Sequence, residues 1–472
     1  MKLVPCAVGA TLALLLGAAA AAAQEDARVL PRGYLALKVG GEFTQFDSRL
    51  GSGADGGPLG APLAVPLPAS LFPGTLPPVR DSLARFFTAT SAAGETFPLT
   101  EADVFPGVLD PDLAADLRRV PISLQAGVTS RLMLRATLPV VRRETELVSL
   151  RLAGGTIGAN ARGDTLAALF RRIDPSLATI GRLPYLPLAG SRAGQELQRR
   201  FRRATGDTTT LPLPTTGLSR TQLNALLGAN RSLPIAAAGE NYRVGDVEMA
   251  AKLQLLGGTG ALSPRETGAR LAVEAGVRLP TAMTTGADSL TELVGENGHA
   301  GATAAVFADV PLGARFWIGA QARYGLLRPR DVERFTWNPA APLDSLVALR
   351  PFRREPGDRL EATVAPHFQV TDEIALLGRY GFARVGATVY TGADPDPGTN
   401  VAGLESTAAG TLHTLGVGMT YSTMGAFVQG RTAIPLEIWL AYDGAVAGSG
   451  GVPDLGRVTL AGRIWVPAWG GR

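Results

Sequence analysis

Short stretches in which apolar residues alternate with polar or charged ones recur along the whole chain. In one of them, the apolar positions are Val247, Met249, Ala251, Leu253 and Leu255, with Glu248, Lys252 and Gln254 between them. Successive side chains of a strand point to opposite faces, so each such stretch would have one apolar face and one charged face. This pattern predicts a transmembrane β-barrel that is apolar outside and polar inside.

The first 23 residues have the features of a secretory signal peptide. A basic residue, Lys2, precedes an apolar run over 8–22, and small residues lead to a cleavage site before Gln24. An uncleaved membrane anchor is the alternative, but acidic residues follow at once, and no second long apolar run occurs. We therefore expect a signal peptide at 1–23 and one exported barrel domain at 24–472. The only cysteine, Cys6, lies within the signal, so we expect no disulfide and no cysteine metal site in the mature chain.

Counting period-two matches predicts twelve antiparallel strands, although ten or fourteen would also place both chain ends in the periplasm. They cover 33–46, 119–129, 131–142, 242–256, 267–280, 299–310, 314–327, 357–369, 373–385, 409–421, 433–443 and 456–466. In this assignment every odd-numbered link is longer than every even-numbered link. Long extracellular loops and short periplasmic turns are typical of an outer-membrane barrel. Pro366 falls inside the eighth strand and predicts a bulge or an early end there.

Charged residues recur at the positions that would face the lumen. Those we assign to a pathway through the barrel are Lys38, Glu42, Glu248, Lys252, Glu274, Arg278, Arg315 and Arg323. Cations outnumber carboxylates among the predicted inward positions, which indicates an electropositive lumen. An alternative is that these side chains pair across strands and solvate a packed interior without selecting a solute. Trp317 and Trp439 share the inward parity, and they would either line an apolar passage or fill the lumen.

The two longest outer links, 47–118 and 143–241, have opposite charge. The first has Asp103, Asp110, Asp112 and Asp116 near its end; the second is rich in arginine and has helix-like pieces at 164–173, 193–203 and 220–227. Its basic residues include Arg171, Arg172, Arg199, Arg200, Arg202 and Arg203. Long loops are usually functional or disordered. Opposite charge suggests that the links fold together as a cap or plug; alternatives are two independent loops, or a basic cluster on lipopolysaccharide phosphates.

The residues offer little for catalysis. His299, His367 and His413 are the only histidines, and none has a histidine, cysteine or carboxylate at metal-ligand spacing. No G-x-S-x-G motif, phosphate-binding glycine loop or Walker lysine is present. We expect no enzyme activity, no metal and no cofactor; a lumenal hydrolase using His367 is a distant alternative. The formal net charge of +4 is too small to indicate a nucleic-acid partner.

Three segments resemble one known family of outer-membrane barrels. They are 127–139, which begins Gly-Val-Thr-Ser-Arg-Leu and ends Leu-Pro; 245–252, which reads Gly-Asp-Val-Glu-Met-Ala-Ala-Lys; and 271–281, which ends Leu-Pro-Thr. These segments look like barrels of the phenol-degradation meta-pathway type, distant relatives of barrels that carry long-chain fatty acids and aromatic hydrocarbons. The resemblance skips both long outer links. It implies an outer-membrane transporter or channel and names no substrate. The chain departs from the usual pattern by not ending on an aromatic residue.

The sequence thus predicts an all-β, outer-membrane channel for passive passage of small molecules, possible solutes being aromatic or hydrophobic compounds. The alternative is a non-transporting barrel that supports the envelope or binds a surface through its long outer loops. The expected partners are outer-membrane lipid and lipopolysaccharide, the small-molecule solute and, during biogenesis, the barrel-assembly machinery.

Overall fold

The computed structural model describes residues 26–52, 56–72, 74–92, 95–227, 238–239, 241–257, 268–282, 298–335, 349–392, 401, 403–432 and 434–468. The predicted signal peptide at 1–23 lies outside these residues. Within them, no helix is both long enough and apolar enough to cross a membrane.

Twelve long strands form the body of the molecule. They are β1 (Tyr34–Phe46), β2 (Gly107–Gly127), β3 (Leu132–Ala153), β4 (Val247–Leu256), β5 (Arg270–Leu279), β6 (Gly301–Pro311), β7 (Phe316–Leu327), β8 (Arg359–Gln369), β9 (Ile374–Val385), β10 (Gly410–Ser422), β11 (Leu436–Ser449) and β12 (Gly456–Pro467). Each strand pairs antiparallel with the next one in the chain. β12 pairs with β1, from Tyr34↔Pro467 to Gly41↔Leu460, and this closes the sheet. The predicted antiparallel barrel is therefore confirmed.

Alternation along the strands gives the barrel an apolar outer face. On β1, for example, Leu37, Val39 and Phe43 are exposed, whereas Lys38 and Glu42 between them are buried. Exposed apolar side chains of the same kind occur on all twelve strands. A closed barrel with an apolar belt satisfies every inter-strand amide without water and faces lipid with hydrocarbon. The protein is an outer-membrane β-barrel, as the sequence indicates.

Three strands are longer at the outer end than the sequence predicts. β2 begins at Gly107 and β3 ends at Ala153, so this hairpin continues well beyond the rim, and β11 runs on to Ser449. The β11–β12 link therefore shrinks to 450–455, shorter than the periplasmic links at 257–269 and 423–435. The expectation that every outer link exceeds every inner link is wrong at this hairpin, because part of the predicted loop pairs as strand.

The expected bulge at Pro366 is also wrong. β8 pairs with β9 through Val364↔Tyr380 and His367↔Leu377, which is the same register on both sides of the proline. The strand continues to Gln369. Register shifts lie instead near Asp112 on β2, Gln254 on β4 and His413 on β10.

The two long outer links fold into one compact unit, which we call the cap and define as the described residues of 59–104 and 157–227. Its helices are α1 (Leu76–Ala89), α2 (Gly163–Arg171), α3 (Ala178–Gly181), α4 (Arg192–Thr205) and α5 (Arg220–Leu227), with 3₁₀ turns at Ala61–Leu63, Ala69–Leu71, Glu101–Val104 and Pro175–Leu177. The sequence marks both ends of α4: the Ser191 side chain accepts from the Gly194 amide, and Gly206 follows at φ 66°.

One apolar cluster holds the cap together and joins it to the barrel. Leu83 and Phe86 from the first link pack with Phe170 and Phe201 from the second, all fully buried. The same cluster includes inward residues at the outer ends of strands, namely Phe46, Ala115, Ala383 and Leu412. The cap therefore sits on the outer mouth of the barrel.

The charges of the two links also pair, as their opposite signs predict. Arg192 on α4 binds Asp103 of the first link. The Glu95 carboxylate forms ion pairs with Arg199 Nη2 at 2.9 Å and with Arg203 Nη2 at 2.6 Å. The hydrogen bond from Arg203 lowers the pKa of Glu95 to about 2. Arg200 is fully buried and donates to Glu196. Arg200 is therefore enclosed within the cap, whereas Arg199 and Arg203 pair with Glu95 at the surface of the cap.

Short elements complete the described chain. Arg330–Phe335, Leu349–Glu355 and Val389–Gly392 form a three-stranded sheet outside the barrel, which we call the rim sheet. The others are α6 (Met424–Val428) and the short strands Ser48–Leu50, Gly57–Pro58, Val65–Leu67, Ile157–Ala159, Tyr185–Pro187, Ala238–Gly239, Arg243–Val244 and Val452–Pro453.

The cap's dependence on its aromatic core can be tested with Phe86→Ala. The Phe86 ring lies 5.8 Å from that of Phe87 and 5.2 Å from that of Phe170. Losing a buried phenylalanine costs about 3–5 kcal/mol, so we expect much faster trypsin cleavage within α4, with the heat-modifiable barrel intact on a gel. The lipid-facing Phe43→Ala is the control and should leave cleavage unchanged. Equal cleavage of the wild type and F86A would contradict this core.

Candidate functional site

The predicted pathway residues lie on the lumenal wall, with one exception. Lys38, Glu42, Lys252, Glu274 and Arg323 are buried with inward parity, and Glu248 and Arg278 are partly buried with the same parity. Arg315 is different, because it is exposed in the turn between β6 and β7, where its carbonyl accepts the Gln369 amide. The structure thus removes Arg315 from the wall, because β7 begins one residue later, at Phe316.

Wall charges are joined in ion pairs that reach across an intervening strand. Glu274 on β5 accepts Arg135 of β3 at 2.7 Å and Arg323 of β7 at 3.3 Å. Ala305 on β6 is paired with both Glu274 and Arg323, and its small side chain leaves room for the two charged groups to meet. This pairing matches the alternative in which wall charges neutralise one another.

A second set of pairs continues around the wall. Arg119 on β2 lies 3.7 Å from Glu42 and 3.8 Å from Glu248. Arg278 binds Asp246, which is fully buried at the outer end of β4. Among the described residues of the twelve barrel strands, the buried charges comprise nine cations and six carboxylates. The predicted excess of positive charge is therefore present even though the individual groups have partners.

The predicted pathway does not include a triad of charged residues on the part of the wall formed by β9–β12. Asp443 on β11 lies 3.2 Å from Arg379 of β9 and 3.2 Å from Arg457 of β12. On the strand between β9 and β11, Gly416 is the residue that makes room, since a Cβ there would lie 2.2 Å from Asp443 Oδ1. The inward parity of Glu437, Trp439 and Ala441 extends to Asp443 and could have identified it.

The segment before β1 lies inside the lumen near the periplasmic end. The Ala27 amide donates to Asp309 Oδ2 at 2.9 Å, and Lys252 Nζ donates to the Asp26 carbonyl. Arg28 pairs with Asp26 and lies 3.4 Å from Glu437 on β11. Ala27, Val29 and Leu30 are buried. We call residues 26–32 the inner segment; sequence reasoning missed it because it has no strand periodicity.

Beside the inner segment is a cavity of about 120 Å³, here called the aromatic cavity. Trp317 and His367 stack on its wall with ring centres 4.7 Å apart and planes inclined by 7°. Trp439 also lines it, together with the polar residues Gln321 and Thr363. Both tryptophans face inward, as predicted.

A smaller cavity of about 50 Å³, the upper cavity, lies toward the outer end. Its inward lining is charged and includes Arg135, Arg278, Arg323, Arg359 and Glu361. Its lining also includes Met249, Val277 and Leu326, which have outward parity. The strands that bear these three residues are paired without a gap, through Met249↔Val277 and Ala302↔Leu326, so the barrel wall is continuous beside the upper cavity.

The three histidines are dispersed. His367 stacks on Trp317, His413 lies with the outward-facing Tyr380, whose hydroxyl is 2.7 Å from His413 Nδ1, and His299 is buried at the outer rim. In the described part of the chain, no three histidine, cysteine or acidic side chains are grouped so as to hold a metal ion. What this arrangement can do is bind and orient a solute through charge, stacking and hydrogen bonds.

No protein-family model and no curated protein matches the chain. Solved structures similar to it include an outer membrane channel from Pseudomonas putida F1, at 12% identity and a TM-score of 0.46, covering 94% of this chain and 99% of that chain. They also include the Pseudomonas putida toluene transporter TodX, at 10% identity and 0.31, covering 97% and 94%. A Pseudomonas aeruginosa FadL homologue matches at 10% identity and 0.27, covering 92% and 89%. The barrel fold of this chain is established by its own strand pairing and closure.

The triad can be tested with Gly416→Ala. The new methyl group would clash with Asp443 Oδ1 and with the Tyr442 carbonyl 2.7 Å away. Overpacking of this kind costs about 1–3 kcal/mol, so we expect a lower urea midpoint for unfolding from micelles. Gly319→Ala is the matched inward-facing control, because its nearest contact would be an ordinary 3.5 Å. If both variants unfold at the wild-type midpoint, the triad is not tightly packed.

Proposed function

We propose that the protein is a gated outer-membrane channel through which small molecules pass passively, and that the inner segment closes its periplasmic end at rest. The observation that carries this proposal is the position of residues 26–30 inside the lumen, bonded to Asp309, Lys252 and Glu437 of the wall. A purely structural barrel has no need for a polar segment in its lumen.

The inner segment is held by polar and by apolar contacts. Its hydrogen bonds and ion pairs exchange for contacts with water at a modest net free energy. Val29 and Leu30 also pack in an apolar cluster with Trp465, so opening has to expose these side chains as well. The segment precedes β1, so it can leave the lumen without breaking any barrel pairing between Tyr34 and Pro467. Its withdrawal would join the aromatic cavity to the periplasm.

The aromatic cavity supports a planar, partly apolar solute. The stacked Trp317 and His367 provide a flat wall, and aromatic rings gain about 0.5–1.5 kcal/mol from such offset or stacked contacts beyond area burial. Gln321 and Thr363 at the same cavity provide hydrogen-bonding groups. We therefore infer that aromatic or hydrophobic compounds are the preferred solutes.

The route above the aromatic cavity follows from the cap. Because the cap packs against inward residues of β1, β9 and β10, the side of the mouth near β4–β7 is the place for a solute to reach the lumen. The upper cavity lies on this side, and its lining includes Arg354 and Thr388 of the outer links. In this mechanism the ion pairs of Glu274 and Glu248 border the path, and no covalent step or energy source is involved.

The gate is tested with the double variant Arg28→Ala, Asp309→Ala in planar bilayers. Loss of the Arg28–Glu437 pair and of the Ala27–Asp309 bond frees the inner segment, so we expect conductance several-fold above the mostly closed wild type. Arg32→Ala is the control, since it removes a charge from the same segment at an exposed position.

Three results would distinguish a gated channel from the alternatives. Higher conductance in the double variant alone supports the gate. An equal rise in R32A would show that charge, and not anchoring, matters. A folded but silent double variant would contradict the gate and favour the alternative of a non-transporting barrel that acts as an envelope scaffold or surface-binding protein.

The aromatic cavity is tested with Trp317→Ala. Loss of one face of the stack should weaken binding of a naphthalene-type fluorescent probe by about two- to tenfold, corresponding to about 0.5–1.5 kcal/mol. Phe368→Ala, which removes a lipid-facing ring from β8, should leave probe binding unchanged. Equal affinity of the wild type and W317A would remove this cavity from the pathway.

A further inference from the structure

Three outer links meet above the rim and are joined by one buried polar cluster. His299 belongs to the β5–β6 link, Arg354 to the rim sheet in the β7–β8 link, and Tyr390 and Glu405 to the β9–β10 link. His299, Arg354 and Glu405 are at most 6% exposed. We call these four residues the rim latch.

Arg354 is the centre of the rim latch. Its Nε donates to Glu405 Oε2 at 3.2 Å and its Nη2 donates to Glu405 Oε1, which gives a two-pronged ion pair. Its Nη1 lies 2.8 Å from His299 Nε2. The Tyr390 hydroxyl donates to Glu405 Oε2, and Thr388 Oγ1 lies 3.4 Å from Glu405 Oε1. A single guanidinium thus joins all three links.

The geometry fixes the protonation of His299. A guanidinium can only donate, so His299 Nε2 has to accept the bond from Arg354 Nη1. His299 Nδ1, 2.9 Å from the Arg328 carbonyl, then carries the proton and donates to that oxygen. The rim latch therefore requires a neutral imidazole in one tautomer.

A proton on Nε2 would convert this bond into a contact between two donors and two positive charges. The charged groups around His299 are unfavourable for the imidazolium: Arg354, Arg330 and Arg278 all oppose it. Glu405 and Asp246 are already bound to Arg354 and Arg278, respectively. Burial, opposed by the bond to the Arg328 carbonyl and reinforced by these arginines, lowers the pKa of His299.

We propose that the rim latch is an acid-sensitive fastening of the outer mouth, in which protonation of His299 Nε2 detaches the rim sheet from the β5–β6 link. The inference is independent of the proposed channel function, since it concerns the order of the outer links whatever passes between them.

The direction of the pH dependence follows from linkage. The open state has a histidine with an ordinary pKa of about 6.5, higher than in the latched state. The latch is therefore fully stable above that value and loses stability as the pH falls below it. Glu95 of the cap, with a pKa of about 2, remains ionised down to pH 5.

Hydrogen exchange of the full mature protein in nanodiscs tests the proposal. Protection factors, corrected for intrinsic exchange rates, are compared at pH 7 and pH 5 for peptides covering 349–355 of the rim sheet and 359–369 of β8. We expect protection of the rim sheet to fall at pH 5 by at most about thirtyfold, the bound set by an open-state histidine whose pKa of about 6.5 lies about 1.5 units above that pH. Protection of β8 should not change.

The histidines of the chain supply matched variants. His299→Gln retains a neutral acceptor for Arg354 but cannot be protonated, so its rim sheet should be equally protected at both pH values. His367→Gln and His413→Gln should respond to acid like the wild type. If H299Q fails to fold, His299→Asn serves as the second neutral variant.

Two outcomes would overturn the proposal. One is a wild-type rim sheet whose protection is the same at pH 5 and pH 7. The other is an acid response that persists in H299Q or H299N, which would assign it to a titratable group other than His299.

Discussion

The pairing of β12 with β1 is the interaction on which the rest of this structure depends. Without it, two strands would present unpaired amides to lipid, where each unsatisfied group costs several kcal/mol. With it, the sheet encloses a lumen. Alternate side chains of every strand then face either the lumen or the lipid. The charged residues of the chain have to share a narrow interior as a consequence.

Because many charged side chains share the lumenal wall, their ion pairs determine how the wall is packed. Glu274, Arg119 and Asp443 each connect to groups on next-nearest strands, and small residues such as Ala305 and Gly416 lie between the partners. A buried charge without a partner is costly, so these sets behave as units. The inner segment extends the same scheme, because Arg28 and the Ala27 amide bind wall carboxylates. The inner segment is thus held in part by the same kinds of interaction as the wall charges.

The sequence predicts the barrel well because a strand's period of two is a local property. All twelve predicted strands are present, and Lys38, Glu42, Lys252 and Glu274 face inward as their parity requires. The failures come at strand ends: Arg315 has inward parity but precedes β7, and β11 extends into a predicted loop. The prediction of a bulge at Pro366 was wrong for another reason, because a missing amide donor does not by itself shift the register.

The parts that composition and periodicity could not predict are made by contacts distant in sequence. Opposite charge indicated that the long links associate, but the packing of Phe86 on Phe170 follows from neither link alone. The inner segment and the rim latch likewise join residues that are hundreds or tens of positions apart, such as Ala27 with Asp309 and His299 with Arg354. Their positions depend on barrel closure.

Closure of the lumen by the inner segment can be tested directly with a reversible cross-link between this segment and the wall. Ala27 and Ala272 belong to one packed cluster, and the predicted mature chain has no native cysteine, so Ala27→Cys, Ala272→Cys can be joined by a short cleavable reagent. We predict that cross-linked protein in planar bilayers stays closed, and that cleaving the link restores brief openings. If the cross-linked protein conducts like the cleaved protein, or the two cysteines do not react together, the inner segment does not close the lumen.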